Sequence, residues 1–433
     1  MWCVVQIVDR WNTVYFDGRL STGVLDELRQ LADASPDALA LADRAFRLMR
    51  AARLAPTDVS VFTAWLIGFS APRTVPSAWS GTVPPVTMAG RHRALDEYVA
   101  RNPWHRPEGQ GVFVDIGCGF PPFTTIETAK RLKDWRVVGV DPSFGRYLVY
   151  DKQGAYACYD DDLRLRYYQA GNFDPDQTAT KRRFQQILER LKPELSGDEV
   201  ADDDGRLIRD PMRHYETGNL ELRGGGIGEF TVDGGADVIR CMNVFMYFDH
   251  PFREKALAWA EQLLRPGGLF VCGSNWIDSV SSRYTVYRKE KGHLVAKEFA
   301  FSIDNIRPIE LAPWYALHDD NFENLANAHA VGTIRTDTPF RRRFDGRLDA
   351  LLANLNMCPR GADGYLGHAP PEMPAEERSR CSSILAAQLD DEGFVTEAVD
   401  VLRRSGWHAW RNHVGHVAMR PVTPPPLAPS SVL

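Results

Sequence analysis

Residues Gly111 to Ser143 read GVFVDIGCGFPPFTTIETAKRLKDWRVVGVDPS, and their reading decides the fold. Val112 to Ile116 is a short apolar run with Asp115 near its carboxyl end, followed by Gly117 and Gly119, then Phe120, Pro121 and Pro122. A turn this tight needs residues that accept unusual φ and admit close approach to the backbone, and glycine does both. A helix is expected from near Phe123, because proline suits a first turn where its missing N–H is no loss. Arg136 to Val140 is a second buried-strand candidate, and Asp141 closes it. An acid about 20 residues past the glycines can take ribose hydroxyls in a doubly wound α/β sheet. A nicotinamide or flavin site would want a third glycine where Pro122 stands. The two prolines also remove two N–H groups that a pyrophosphate would use. The stretch fits a nucleoside without phosphates better than a dinucleotide.

Downstream, Gly235 to Phe248 (GADVIRCMNVFMYF) has the pattern of a buried strand with polar groups at its end. A helix is expected from about Pro251 to Leu264, a stop at Pro266-Gly267-Gly268, and another strand to Gly273. Four stretches in this order carry a resemblance: Asp115–Gly119 (DIGCG), Gly139–Asp141 (GVD), Asp237–Val244 (DVIRCMNV) and Leu264–Gly268 (LRPGG). Over roughly residues 108–275 the chain resembles the class I S-adenosylmethionine-dependent methyltransferases. Ser405 to Pro421 (SGWHAWRNHVGHVAMRP) looks like the closing antiparallel hairpin of that fold. The resemblance implies an α/β, doubly wound Rossmann-like sheet of seven strands, with a helical amino-terminal region and a large insertion added. A shorter likeness, over MNVFMYFDHP, is to the chemotaxis-receptor glutamate methyltransferases; their receptor-recognising insertion is not evident, so their substrate is not carried over.

Composition sets outer bounds. At 433 residues one core domain plus additions, or two domains, is expected. A net charge of −6 weighs against a nonspecific nucleic-acid binder. The seven cysteines are odd in number and scattered, with no C-x-x-C pair, which argues against a disulfide framework or zinc ribbon and for a reducing compartment. No apolar run approaches the ~18 residues of a membrane span, and the start lacks a signal peptide's pattern, so a cytoplasmic protein is the expectation.

Taken in order, residues 1–90 read as a helical region and a linker. Ser35-Pro36-Asp37 is a helix start, followed by Leu41, Ala45, Leu48 and Met49 at helical spacing. Pro56-Thr57-Asp58 opens another, and Arg73 to Gly90, with Pro76, Pro84 and Pro85, is the linker. The core is expected over 91–274, with His92 to Arg101 a short leading helix and an insertion at about 174–210. Phe144 to Lys152 is read as the second crossover helix. Two stretches compete for the third strand, Leu165 to Phe173 and His214 to Leu220, both ending in Gly-Asn and an apolar residue; the second is preferred. Glu194 to Asp204 reads as an acidic solvated loop. Residues 275–370 are expected to form an acceptor-side insertion or lid, with Trp276, Arg283 and Tyr284 and the basic run Phe340 to Asp345, read as a solvated or acid-paired helix face. Closing helices and the hairpin fill 371–420, with a helix break near Glu392-Gly393. Residues 421–433 are expected to be a disordered tail.

The resemblance assigns a site. Backbone at Gly117, Cys118 and Gly119 would face the methionine moiety of S-adenosylmethionine, and Asp141 would hold the ribose. Asn219 and Leu220 would lie by the adenine and Asn243 near the sulfonium, while Asp115 would orient the turn or meet the amino group. Tyr247 and His250 are the candidate acceptor-side groups, against plainer readings as a core tyrosine and a helix-capping histidine. The product would be S-adenosylhomocysteine. The expected acceptor is an oxygen or nitrogen nucleophile of a small molecule or biosynthetic intermediate, or alternatively a protein or peptide side chain. A noncatalytic cofactor-binding scaffold is the rival of another class. A homodimer is allowed. His413 and His416 are three apart on a hairpin and face oppositely, so no metal site is expected.

Overall fold

In the computed structural model of the chain the described residues are 11, 19–33, 36–70, 87–88, 90–102, 109–169, 176–275, 280–307, 318–367 and 373–427. Cys3, Ser35, most of the linker, Gly171 to Phe173, Trp276 and residues 428–433 lie outside them.

The quoted stretch folds as its pattern dictates. Strand β1 (Val112–Ile116) is buried along its whole length, helix Phe123–Arg131 follows the glycine turn, and β2 (Arg136–Asp141) pairs with β1 in parallel. On the other side of β1 lies β9 (Ala236–Met242), also parallel. Alternation along β1 sends Phe113 towards helices Arg93–Ala100 and Phe123–Arg131, and Val112, Val114 and Ile116 towards helix His250–Leu263. Helices thus cover both faces, as a parallel sheet requires.

The sheet has nine described strands in the order β13-β14-β12-β11-β10-β9-β1-β2-β8, not the seven expected. β10 (Leu264–Ser274) continues the parallel part, and β8 (Leu220–Gly224) is its outer strand beside β2. The difference arises in the stretch expected to be a lid. β11 (Arg283–Glu290) and β12 (His293–Phe301) form an antiparallel hairpin that pairs directly with β10. Its two-residue turn is Lys291-Gly292, both at positive φ (50° and 91°), as this kind of hairpin demands. β13 (Ala409–Arg411) and β14 (Val417–Met419) also form an antiparallel hairpin, but it joins the sheet at β12, at the outer edge.

Between β2 and β8 stands a second sheet, all antiparallel, in the order β5-β4-β3-β7-β6. Its members are β3 (Tyr147–Asp151), β4 (Tyr156–Tyr159), β5 (Leu165–Gln169), β6 (Glu199–Ala201) and β7 (Gly205–Arg209), backed by helix Gln177–Leu191. Two expectations are corrected here. Phe144 to Lys152 is not a crossover helix: its Tyr-Leu-Val-Tyr run is β-branched and aromatic and pairs as β3. The acidic stretch from Glu194 to Asp204 is not only a loop but contains β6 and its turn into β7.

The helices before residue 71 and after residue 321 share one apolar core with β12 and β14. Helix Pro36–Ala51 buries Leu41, Ala45, Phe46, Leu48 and Met49 there, beside helices Phe322–Ile334, Thr338–Asn354, Ala375–Asp391 and Phe394–Arg404. Gly393, at φ 85°, breaks the last two apart. The expected disordered tail is corrected as far as 427: Leu427 is buried, and His329 Nε2 lies 2.9 Å from the Pro425 carbonyl oxygen. Among the described residues no helix is long and apolar enough to cross a membrane. The six described cysteines are buried, and no disulfide joins any two of them.

Candidate active site

In an open α/β sheet, ligands bind beyond the carboxyl ends of the strands where the winding reverses. Here that point lies between β1 and β9, since the chain runs from β1 outward to β2 and β8 and later returns to β9. The loops leaving β1 and β9 are in close contact. Gly117 sits at φ 72°, and a Cβ on it would lie 2.4 Å from Val244 Cγ2. Gly119 follows at φ 70°.

The turn is tied to the end of β2 by its own N–H groups. Gly117 N and Cys118 N both donate to the Val140 carbonyl, at 2.8 and 3.3 Å. Gly119 N donates to Asp141 Oδ2 at 2.9 Å, and Ser143 N and Oγ donate to Asp141 Oδ1 at 2.8 and 2.6 Å. Asp141 is buried, and that desolvation raises its carboxyl above the ordinary range despite the Ser143 and Gly119 hydrogen bonds. The Cys118 side chain points into the core, where burial pushes its thiol up. What the turn has left to offer a ligand is carbonyl oxygen.

Asn243 closes β9 in the left-handed region, φ 61°, where asparagine is tolerated. Its Nδ2 donates to Asn275 Oδ1 at 3.1 Å and its Oδ1 accepts from Asn275 N at 3.0 Å, which links the ends of β9 and β10. Asn275 Nδ2 in turn reaches the Arg91 carbonyl at 2.6 Å and His92 Nδ1 at 3.0 Å. The segment leading into helix Arg93–Ala100 is therefore fastened at this strand end, and burial keeps His92 well below its ordinary basicity. Sequence reasoning missed Asn275, Ser143 and His92. Asn275 had a signal, since it stands at the end of the parallel strand next to the one ending in Asn243.

Several expected site residues are placed elsewhere. Asn219 precedes β8, at the amino end of the strand, because Leu220 pairs with Val137 and Gly224 with Asp141. Asn219 Nδ2 donates to the carbonyls of Ala129, Leu132 and Trp135 and so fastens the opposite edge of the sheet. Leu220 is a core residue at that same end. Leu165–Gln169 belongs to the second sheet. Asp115 is not open to an amino group: Arg240 Nε and Nη2 hold its two oxygens at 2.9 and 2.7 Å, and Thr125 Oγ1 adds a third contact at 2.6 Å. Tyr247 packs half-buried against the large apolar core. His250 is exposed on the first turn of its helix, 3.2 Å from Glu254, in solvent rather than in a desolvated acceptor site; the capping group is Asp249. Among the described residues no group of three His, Cys, Asp or Glu is placed to hold a metal ion.

The second sheet borders the turn. Tyr156 Oη donates to the Phe120 carbonyl at 3.2 Å, and the Phe120 and Tyr156 rings meet edge-on at 5.3 Å.

No protein-family model matches this chain, and no curated protein does. Solved structures do. PKMT2 from Rickettsia typhi in complex with AdoHcy is 17% identical over 45% of this chain and 25% of that one, at a TM-score of 0.21. The N-methyltransferase NodS from Bradyrhizobium japonicum, with S-adenosyl-L-homocysteine, is 15% identical over 42% of this chain and 57% of that one, at 0.21. CalS10 from Micromonospora echinaspora, an amino pentose methyltransferase with SAM bound, is 16% identical over 53% and 68%, at 0.22. The match spans a quarter of the first of these chains and under two thirds of the second.

Proposed function

We propose that this chain is an S-adenosylmethionine-dependent methyltransferase acting on an oxygen or nitrogen nucleophile of a small molecule. One observation carries the reading. The N–H groups of Gly117, Cys118 and Gly119 are all spent on Val140 and Asp141, so the turn presents acceptors rather than donors. A pyrophosphate needs donors there, whereas the ammonium of an amino-acid moiety needs acceptors. Asp141 supports the same ligand. Three donors occupy its oxygens, and a carboxylate has about four acceptor positions, so one is left for a ribose hydroxyl.

When bound, the cofactor supplies a methyl group already activated by its sulfonium. The protein's task is then to place the nucleophile in line, within ~3–3.5 Å, and to exclude water. The Gly117–Gly119 backbone would hold the methionine moiety and Asp141 the ribose, with Asn243 and Asn275 at the mouth between β9 and β10. An acceptor that must lose a proton needs a base within reach; the exposed His250 fits that role less well than the half-buried Tyr247.

The test is calorimetric titration with S-adenosylmethionine, S-adenosylhomocysteine and NADH, on wild type and Asp141→Asn. Micromolar binding of the sulfur nucleosides alone, at least tenfold weaker in the variant, is expected. Binding of NADH instead, or affinity indifferent to residue 141, would sink the reading.

A further inference from the structure

A well-defined cavity lies away from the glycine turn. It holds about 1050 Å³ and opens in the helical layer, between the end of helix Pro36–Ala51, the turn Pro56–Asp58, helix Thr338–Asn354 and the segment at Pro426. Seven arginines line it in a chain whose net charge is −6.

They form two sets. Arg47, Arg335 and Arg360 are engaged by acids and build the wall. Arg335 bonds Asp345 at 2.8 Å and Asp58 at 3.3 Å, Arg360 bonds Asp58 and Asp349 at 2.7 Å each, and Arg47 bonds Asp43 at 2.9 Å and Asp319 at 2.7 Å. Asp58 loses stability as an anion through burial, yet Arg307, Arg335 and Arg360 outweigh this and hold its carboxyl below the ordinary range. The second set, Arg50, Arg53, Arg341 and Arg342, lines the same cavity and has no ion-pair partner among the described residues.

Four guanidinium groups around one hollow, three of them exposed, give it a positive potential that an anion would neutralise. We propose that this cavity binds a small molecule carrying two or more phosphate groups. Each phosphate brings about −1.5 to −2 charges, so two of them match four arginines. The planar guanidinium fork takes two phosphate oxygens at once. A walled hollow at the upper end of the ~300–1,000 Å³ range of ligand pockets suits a compact molecule rather than a long nucleic acid. The ion-paired wall holds the free arginines' backbone in place before the ligand arrives. The site shares no residue with the glycine turn, so it stands or falls independently of the methyl-transfer reading.

The experiment is calorimetry on the full chain at low ionic strength, without methyl donor, using tripolyphosphate as the probe. Wild type is expected to bind it, and Arg341→Gln/Arg342→Gln to bind at least tenfold more weakly. The control Lys133→Gln/Arg182→Gln, which removes equal charge elsewhere on the surface, should bind like wild type. Thermal midpoints of all three proteins show that folding is intact. Absence of wild-type binding, or equal weakening in the control, would overturn the proposal. Tighter binding of citrate or of polyglutamate than of tripolyphosphate would overturn it too, in favour of a carboxylate ligand or an acidic peptide.

Discussion

Arg240 grips Asp115 with two parallel hydrogen bonds, Nε to Oδ1 at 2.9 Å and Nη2 to Oδ2 at 2.7 Å, with both side chains buried between β1 and its covering helices. Its remaining nitrogen, Nη1, reaches Asp96 Oδ1 at 2.6 Å in helix Arg93–Ala100. One cation thus serves two carboxylates, and Asp96 is pushed up to about 6, mainly by burial and against the pull of Arg240. Removing the cation leaves two acids in a dry interior. Arg240→Met should therefore cost ~3–5 kcal/mol in urea denaturation. Asp96→Asn should cost less, because Arg240 keeps Asp115. Equal losses in the two variants would contradict this division of roles.

Gly117 answers two demands at once, a positive φ and the approach of Val244. Gly117→Ala is expected to lose ~1–3 kcal/mol and nucleoside affinity with it. Because the clash is with a side chain, adding Val244→Ala should recover part of the loss. An alanine penalty that is the same in both backgrounds would mean that φ alone is responsible.

These two sites show what a sequence makes legible. Val112–Ile116 and Arg136–Asp141 were readable because a fully buried strand, a glycine turn and a closing acid are local patterns. Of the two roles open to Asp115, orienting the turn or meeting an amino group, the sequence alone does not choose, because its partner Arg240 lies 125 positions away and no local pattern shows a buried acid's counterion. Gly-Asn-Leu marks where β8 begins, at the end of the sheet opposite the glycine turn, and only the strand register reveals this. The hairpin β11–β12 carried its own signal in Lys291-Gly292 between two alternating runs, but an expected lid masked it. The basic run was half readable. Arg343 is acid-paired with Glu397, whereas Arg341 and Arg342 turn to a cavity that only tertiary packing creates.

Asn243 can be divided in the same spirit. Its side chain bridges to Asn275, and its backbone occupies a left-handed conformation that glycine accepts freely. Asn243→Gly removes the bridge alone, whereas Asn243→Ala also pays about 1 kcal/mol for φ. The glycine variant should be the more stable by thermal denaturation, and both should lose methyl-donor affinity to a similar degree. Retained affinity in the glycine variant would show that the amide has no part in the site.

Away from the candidate site, Glu298 gives the fold a pH dependence. It is buried beside Asn412, whose Nδ2 donates to it at 2.9 Å. Burial raises its carboxyl from an ordinary 4.5 to about 7, despite the hydrogen bond from Asn412. The folded chain therefore binds this proton more tightly than the unfolded one. Its contribution is fully present below pH 4.5 and is lost as pH rises to 7, by up to roughly 3 kcal/mol. His416, linked to the same Asn412 and Tyr284 network, acts oppositely. Burial lowers it to about 4, so its contribution is lost as pH falls from 6.5. Whole-protein stability sums these slopes, so the informative quantity is a difference. Glu298→Gln keeps an oxygen for Asn412 but cannot ionise. Its urea midpoint should gain on wild type between pH 5 and 7 and level off above that, whereas a constant difference from pH 5 to 8 would mean that Glu298 does not titrate there.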